Sequence, residues 1–264
     1  MTLSIPYWHV DAFADRPFAG NQAAVMELEA WLDDAVLQAI GAENMFAETA
    51  FVVRNGSEVS DWELRWFAPE AEVRLCGHAT LASGHVLLSR DPALERVRFQ
   101  TRQAGVLEVR RQGAGYEVGL PAIATESGAF AEAGTALGGP SREVWRSPLG
   151  YNVFLYDDEA TVRALTPDFS ALAALGGQFI ATAPGRETDV VSRVFVPGAG
   201  IDEDSVTGSA HAVLTPFWTD RLGRDSFTAF QASARGGALT CRLEGDRTWL
   251  GGRCVTLVEG RFFL

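Results

Sequence analysis

The sequence predicts an α+β fold of two similar halves, each a sheet wrapped around one central apolar helix. Three observations point there. Short segments with strand-like alternation recur along the whole chain. Two short, mostly apolar helical runs open on glycine-containing motifs, Cys76-Gly77-His78-Ala79-Thr80 and Thr207-Gly208-Ser209-Ala210-His211. Strand-like segments flank each run, so the second half repeats the plan of the first.

In chain order, Tyr7–Phe13, Thr49–Arg54, Trp62–Phe67, Val97–Thr101, Leu107–Arg111 and Tyr116–Leu120 read as strands. Val36, Leu37 and Ile40 stand at helical spacing and place a helix over Asp33–Ala42. A second helix, over His78–Leu88, is apolar nearly all round and is therefore expected to be buried. In the second half Asn152–Tyr156, Gln178–Ala183, Val190–Val196, Ala238–Leu243 and Arg253–Val258 read as strands, and Ser209–Trp218 as a helix. The boundary is expected near Leu120–Pro121. That gives halves of 1–120 and 121–264, with the last strand available to pack on the first half. A cleft between two such halves is the expected place for a small-molecule site.

Composition narrows the function. The 264 residues are 47% hydrophobic and 21% charged, without a Pro/Gly/Ser-rich linker, so a packed core and no disordered tract are expected. Net charge is -12 and the cations are scattered, which argues against nucleic acid as a partner, because phosphate binding needs clustered cations. A small anionic substrate remains compatible, since backbone amides and helix ends can hold it locally. Cys76, Cys241 and Cys254 form neither a disulfide framework nor a CxxC site. The opening MTLSIPYWHVDAF lacks a secretory pattern, and the uncharged run Leu75–Ser89 is too short for a bilayer. A cytoplasmic protein without membrane contact is expected.

Three places could carry chemistry. Glu48, in NMFAETAF, sits between apolar Phe46-Ala47 and a strand. An apolar setting raises a carboxyl pKa toward values useful in proton transfer, although a strand-start glutamate can equally be solvated or cap a neighbour. In CGHAT, Gly77 permits close approach and first-turn amides can hold an anion. His78 reads either as a substrate contact or proton carrier, or as a histidine satisfied by backbone. Cys76 reads as a helix-start thiolate or as an inert buried thiol, and His85 reads as structural. In Asp204-Ser205-Val206-Thr207-Gly208-Ser209 the acid reads as a cap or as a substrate contact beside the Gly208 and Ser209 amides. His211 has no evident role. No HExxH, CxxC, GxGxxG, GxxxxGK[ST] or GxSxG occurs, so metal, nucleotide, flavin and serine-nucleophile chemistry lack sequence support, and no cofactor is expected.

The blocks DAFADRPFAGNQAAV, ETAFVV, LRWFAPEAEVRLCGHATLASGHVL, RVFVPGAGIDEDSVTGSAHAVL, RGGALTCRLE and GGRCVTLVEG occur in order across nearly the whole chain. Together they resemble the PhzF-like phenazine biosynthesis family. The resemblance implies the diaminopimelate epimerase-like fold and cofactor-independent isomerisation in which a glutamate shifts a proton along an activated substrate; a homodimer is a separate expectation. Position by position, Glu48 matches the family's acid/base. Asn21, Gly77, His78, Asp204, Gly208 and Ser209 match its substrate-binding set. Gln22 and Ser205 stand where prolines are usual, and Arg74 where a small or acidic residue is usual; these departures bear on the substrate. Epimerases of this fold use two thiols, but the second motif here has none. That leaves the one-carboxylate isomerase as the leading expectation. A one-thiol racemase or epimerase using Cys76, and a non-catalytic binding protein, are the alternatives.

Overall fold

The computed structural model describes residues 3–264. The chain divides into two compact units, Met1–Leu120 with Gly251–Leu264, and Pro121–Leu250.

The first unit contains β1 (Ser4–Ala12), β2 (Asn21–Leu28), α1 (Asp34–Asn44), β3 (Glu48–Arg54), β4 (Trp62–Phe67), β5 (Glu72–Val73), α2 (Gly77–Arg90), β6 (Arg96–Thr101), β7 (Val106–Gln112) and β8 (Gly115–Pro121). β2 pairs antiparallel with β1 and parallel with β3, while β4 pairs antiparallel with β3 and parallel with β6. β5 is a two-residue edge on β4, and β7 and β8 continue the sheet antiparallel. The chain's last strand, Cys254–Phe263 (β18), returns to this unit and pairs antiparallel with β1. α2 packs against β1, β2, β3, β6, β7 and β18, so the sheet curves around it. Eleven of its 14 residues are buried, which accounts for an apolar run without a polar face.

Small residues let the strands close on that helix. A Cβ at Gly84 would lie 2.3 Å from Val109 Cγ1 on β7, and β-branched valine has little rotamer freedom with which to yield. Gly84→Ala is expected to destabilise the protein by about 1–3 kcal/mol, read as a lower urea midpoint at unchanged m-value.

The second unit contains β9 (Glu126–Gly128), α3 (Ala131–Ala136), β10 (Glu143–Arg146), β11 (Tyr151–Leu155), α4 (Glu159–Ala164), α5 (Phe169–Leu175), β12 (Gln178–Pro184), β13 (Val190–Val196), β14 (Ile201–Asp204), α6 (Gly208–Leu222), β15 (Ser226–Gln231), β16 (Gly237–Glu244) and β17 (Arg247–Gly252). Its pairings repeat those of the first unit in order. β10–β11 are antiparallel, β11–β12 parallel and β12–β13 antiparallel. A short β14 then borders β13, which pairs in parallel with β15, and β15 pairs antiparallel with β16. α6 takes the place of α2 in this repeat, between the short edge strand and the next long one.

α6 runs through Pro216. A proline cannot donate to the carbonyl four residues earlier, and here the Ala212 carbonyl accepts instead from the Ile123 amide at 3.1 Å. The helix is thereby continued rather than broken. α4 and α5 start on true side-chain caps, Asp158 accepting from the Thr161 amide and Asp168 from the Ala171 amide. Among the described residues, no helix is long and apolar enough to cross a membrane.

Candidate active site

Glu48 opens β3, directly after the turn that ends α1. That helix stops at Met45, which takes a left-handed conformation (φ 55), and Asn44 Nδ2 then donates to Thr49 Oγ1 at 3.0 Å. On the neighbouring strand, Asn21 opens β2 after Gly20. Gly20 has φ +64, and a Cβ there would sit 2.1 Å from the Ala12 carbonyl oxygen, so only glycine lets the chain deliver Asn21 to this place. Ala23 lies opposite Glu48 in the β2–β3 register. Alternation along β2 therefore turns Asn21 and Glu48 to the same face of the sheet.

Against that face stands the start of α2. Cys76 is its extended N-cap residue and its side chain makes no cap hydrogen bond. His78 is 3% exposed. Its Nδ1 lies 3.2 Å from Asn21 Nδ2 and 3.5 Å from Cys76 Sγ, and its Nε2 lies 3.2 Å from Glu48 Oε2. With Asn21 Nδ2 turned toward it as the donor, Nδ1 accepts and Nε2 is the nitrogen that faces the carboxylate. Asn21 and Cys76 are buried and Glu48 is partly exposed. The carboxylate thus joins a buried imidazole on one side and reaches solvent on the other. Upstream of the motif, buried Arg65 on β4 forks onto both Glu72 oxygens at 2.8 Å and reaches Asp34 at 2.9 Å. This ties β5 and α1 to β4 just before the chain enters α2.

The sequence-predicted residues of the first unit, Asn21, Glu48, Cys76, Gly77 and His78, therefore come together. Gln22 does not join them. Alternation sends its side chain to the opposite face, where Nε2 lies 3.3 Å from His9 Nε2, and His9 stacks on Phe46 at 4.3 Å. Arg74 is exposed between β5 and α2. His85 is a structural residue: its Nε2 meets Thr256 Oγ1 at 2.9 Å, and burial pushes its pKa down to about 4.

In the second unit Asp204 ends β14 and accepts from the Thr207 hydroxyl at 2.6 Å. Gln231, at the end of β15, completes the clamp. Its Oε1 accepts from the Thr207 amide at 2.8 Å, and its Nε2 donates to the Asp204 carbonyl at 2.7 Å. Thr207 is the N-cap residue of α6, and Gly208 and Ser209 follow as the first helical residues. Sequence reasoning missed Gln231, because a glutamine at a strand end belongs to no motif. Ser205 has its carbonyl bound by Ser233 Oγ at 2.7 Å. His211, without a role from sequence, is fully buried; its Nδ1 lies 2.9 Å from the Thr207 carbonyl, and burial pushes its pKa down to about 4.

Burial pushes the Cys241 thiol up to about 12; Cys254, half-buried on β18, is raised to about 12 as well, so neither is a ready thiolate at neutral pH.

The chain matches the family model of phenazine biosynthesis-like proteins over residues 10–260. An uncharacterized isomerase of Pseudomonas aeruginosa is 47% identical over 265 residues, covering 99% of this chain and 100% of that protein. A PhzF-family phenazine biosynthesis protein of Enterococcus faecalis, known as a crystal structure, is 43% identical, with a TM-score of 0.91 over 99% of this chain and 100% of its own. A hydroxyproline epimerase of Agrobacterium vitis, solved with bound trans-4-hydroxy-L-proline, is 12% identical and shares the fold alone, with a TM-score of 0.67 over 99% and 93% of the two chains. The fold is thus the α+β, diaminopimelate epimerase-like one expected from sequence. From the matched motif blocks, the curated relatives and the solved structures alike, the chain belongs to the phenazine biosynthesis-like protein family and is an enzyme of the isomerase type.

Proposed function

We propose that the protein is a cofactor-independent isomerase that moves one proton within a small carboxylate-bearing substrate, with Glu48 as the acid and base. The observation that carries this reading is the 3.2 Å approach of buried His78 Nε2 to the Glu48 carboxylate at the start of α2. The carboxylate takes a proton from a carbon next to an activating group, and the electron pair left behind spreads into that group. The carboxylic acid so formed returns its proton at another carbon, which restores the carboxylate and balances the step. The His78 ring lies against the carboxylate, its Nε2 3.2 Å from Oε2, and limits the directions the carboxylate can take, with Asn21 beside the ring. First-turn amides at Gly77 and His78 favour an anion. Asp204, Gly208 and Ser209 are assigned as substrate contacts on the strength of the second motif.

Cys76, 3.5 Å from His78 Nδ1, supports a second reading, a one-thiol epimerase. Two experiments separate them. A set of small carboxylates incubated with the protein in heavy water is expected to yield one that gains deuterium, read by mass spectrometry; a complete absence of exchange across a broad set would point to a binding protein. With that substrate in hand, Cys76→Ala is expected to keep turnover within about tenfold. Removing an essential group raises the barrier by several kcal/mol, at about tenfold in rate per 1.4 kcal/mol, and a loss of that size would favour the thiol.

A further inference from the structure

Glu48, Cys76 and His78 are far apart or awkwardly spaced in sequence and match no metal motif. In the fold each offers one ligand atom, and these atoms lie within 4.8 Å of one another. A carboxylate oxygen, a thiolate sulfur and an imidazole nitrogen form the donor set of a borderline-soft divalent ion, zinc above all, and not of magnesium or calcium. Three protein ligands with a fourth position left over match an exchangeable site more than a closed structural one. The charges also balance. One carboxylate and one thiolate neutralise a doubly charged ion, so burial beside Cys76 and His78, 4% and 3% exposed, leaves no uncompensated charge. The 3.2 Å between His78 Nε2 and Glu48 Oε2 is close to the edge of a tetrahedron with bonds of about 2.0 Å, which is about 3.3 Å. Zinc binding through Nε2 requires the Asn21 amide to turn over from the orientation seen here, so that Oδ1 instead of Nδ2 meets Nδ1 and accepts its proton.

We infer that Glu48, Cys76 and His78 constitute a zinc site whose occupation inhibits the enzyme. The ion displaces the thiol proton to solvent and engages the carboxylate lone pair that would otherwise receive the substrate's proton. The inhibitory consequence rests on the reading of Glu48 as proton carrier, while the binding does not.

The test uses full-length, metal-free protein titrated with cobalt(II), a spectroscopic stand-in for zinc. One cobalt per chain is expected, with thiolate-to-cobalt absorption in the near ultraviolet that one equivalent of zinc removes. Cys76→Ser should abolish this absorption and weaken zinc binding beyond the roughly 10–100-fold that loss of an outer-shell partner costs. Cys76→Ala should behave alike, and Cys254→Ser should leave the absorption intact. No thiolate band, or one that survives both Cys76 variants, overturns the site. Zinc should also stop deuterium entry into the substrate, and a chelator should restore it. Cobalt bound through Cys76 with labelling untouched by zinc would uphold the site and overturn the role given to Glu48.

Discussion

Glu48→Gln is expected to lower turnover by about 10²–10⁴-fold, the range lost when a positioned acid–base group is removed. The substitution keeps shape and volume. Glutamine Oε1 can take the place of the carboxylate oxygen that lies 3.2 Å from His78 Nε2, so the contact can persist. What is lost is the ability to hold a proton. Substrate affinity should change little, because the Gly77 and His78 amides are unaltered. A steady-state kcat measured beside an equilibrium titration of the same variant checks this. If affinity and turnover fell together, Glu48 would be a binding contact. If turnover stayed near wild type, another group would move the proton.

The second large effect concerns stability. His211 is fully buried and burial pushes its pKa from 6.5 down to about 4. Between those values the unfolded chain binds a proton that the folded chain refuses, so stability rises with pH across this window. It is fully present above pH 6.5 and is lost as pH falls toward 4. At about 1.4 kcal/mol per pKa unit, His211 alone accounts for about 3 kcal/mol, and His85, lowered to about 4 by burial as well, adds in the same direction. Carboxylates lowered by their partners, such as Asp34 and Asp189 from 3.8 and Glu143 from 4.5, lose their contribution only at lower pH. The loss between pH 6.5 and 4.5 therefore belongs to the histidines. Urea midpoints measured across that range should fall steadily in the wild type, and His211→Asn should flatten the slope. A wild type equally stable at pH 7.5 and pH 4.5 would contradict the assignment.

Much of this protein was legible in the sequence. Both central helices were visible because an apolar run without a polar stripe, opened by glycine, has few other uses. The structure extends them to Gly77–Arg90 and Gly208–Leu222. β2 was not legible, because Asn21–Leu28 is covered on both faces and so lacks the alternation that marks a half-exposed strand. β17 was hidden by its closing glycines, and α3, α4 and α5 by lengths of six or seven residues, too short for a period to register. At the site, Glu48 and the CGHAT motif were visible as residue types in suggestive places. That Asn21 meets the His78 ring was not, because it depends on a pairing across 57 positions. Nor could alternation have been applied to Gln22 before β2 was known. Its side chain meets His9 on the far face of the sheet, so this departure from the family pattern leaves the Glu48–His78 pair unchanged.

The claim that one carboxylate carries the proton is tested most directly by isotope entry. Wild type and Glu48→Gln are incubated in heavy water with the substrate that wild type labels, and deuterium at the receiving carbon is followed by NMR. Wild type is expected to place label at that carbon and Glu48→Gln none above the protein-free blank, although that variant still binds. Label entering at the wild-type rate with Glu48→Gln, and vanishing only when Cys76 is also replaced, would contradict it and give the chemistry to the thiol.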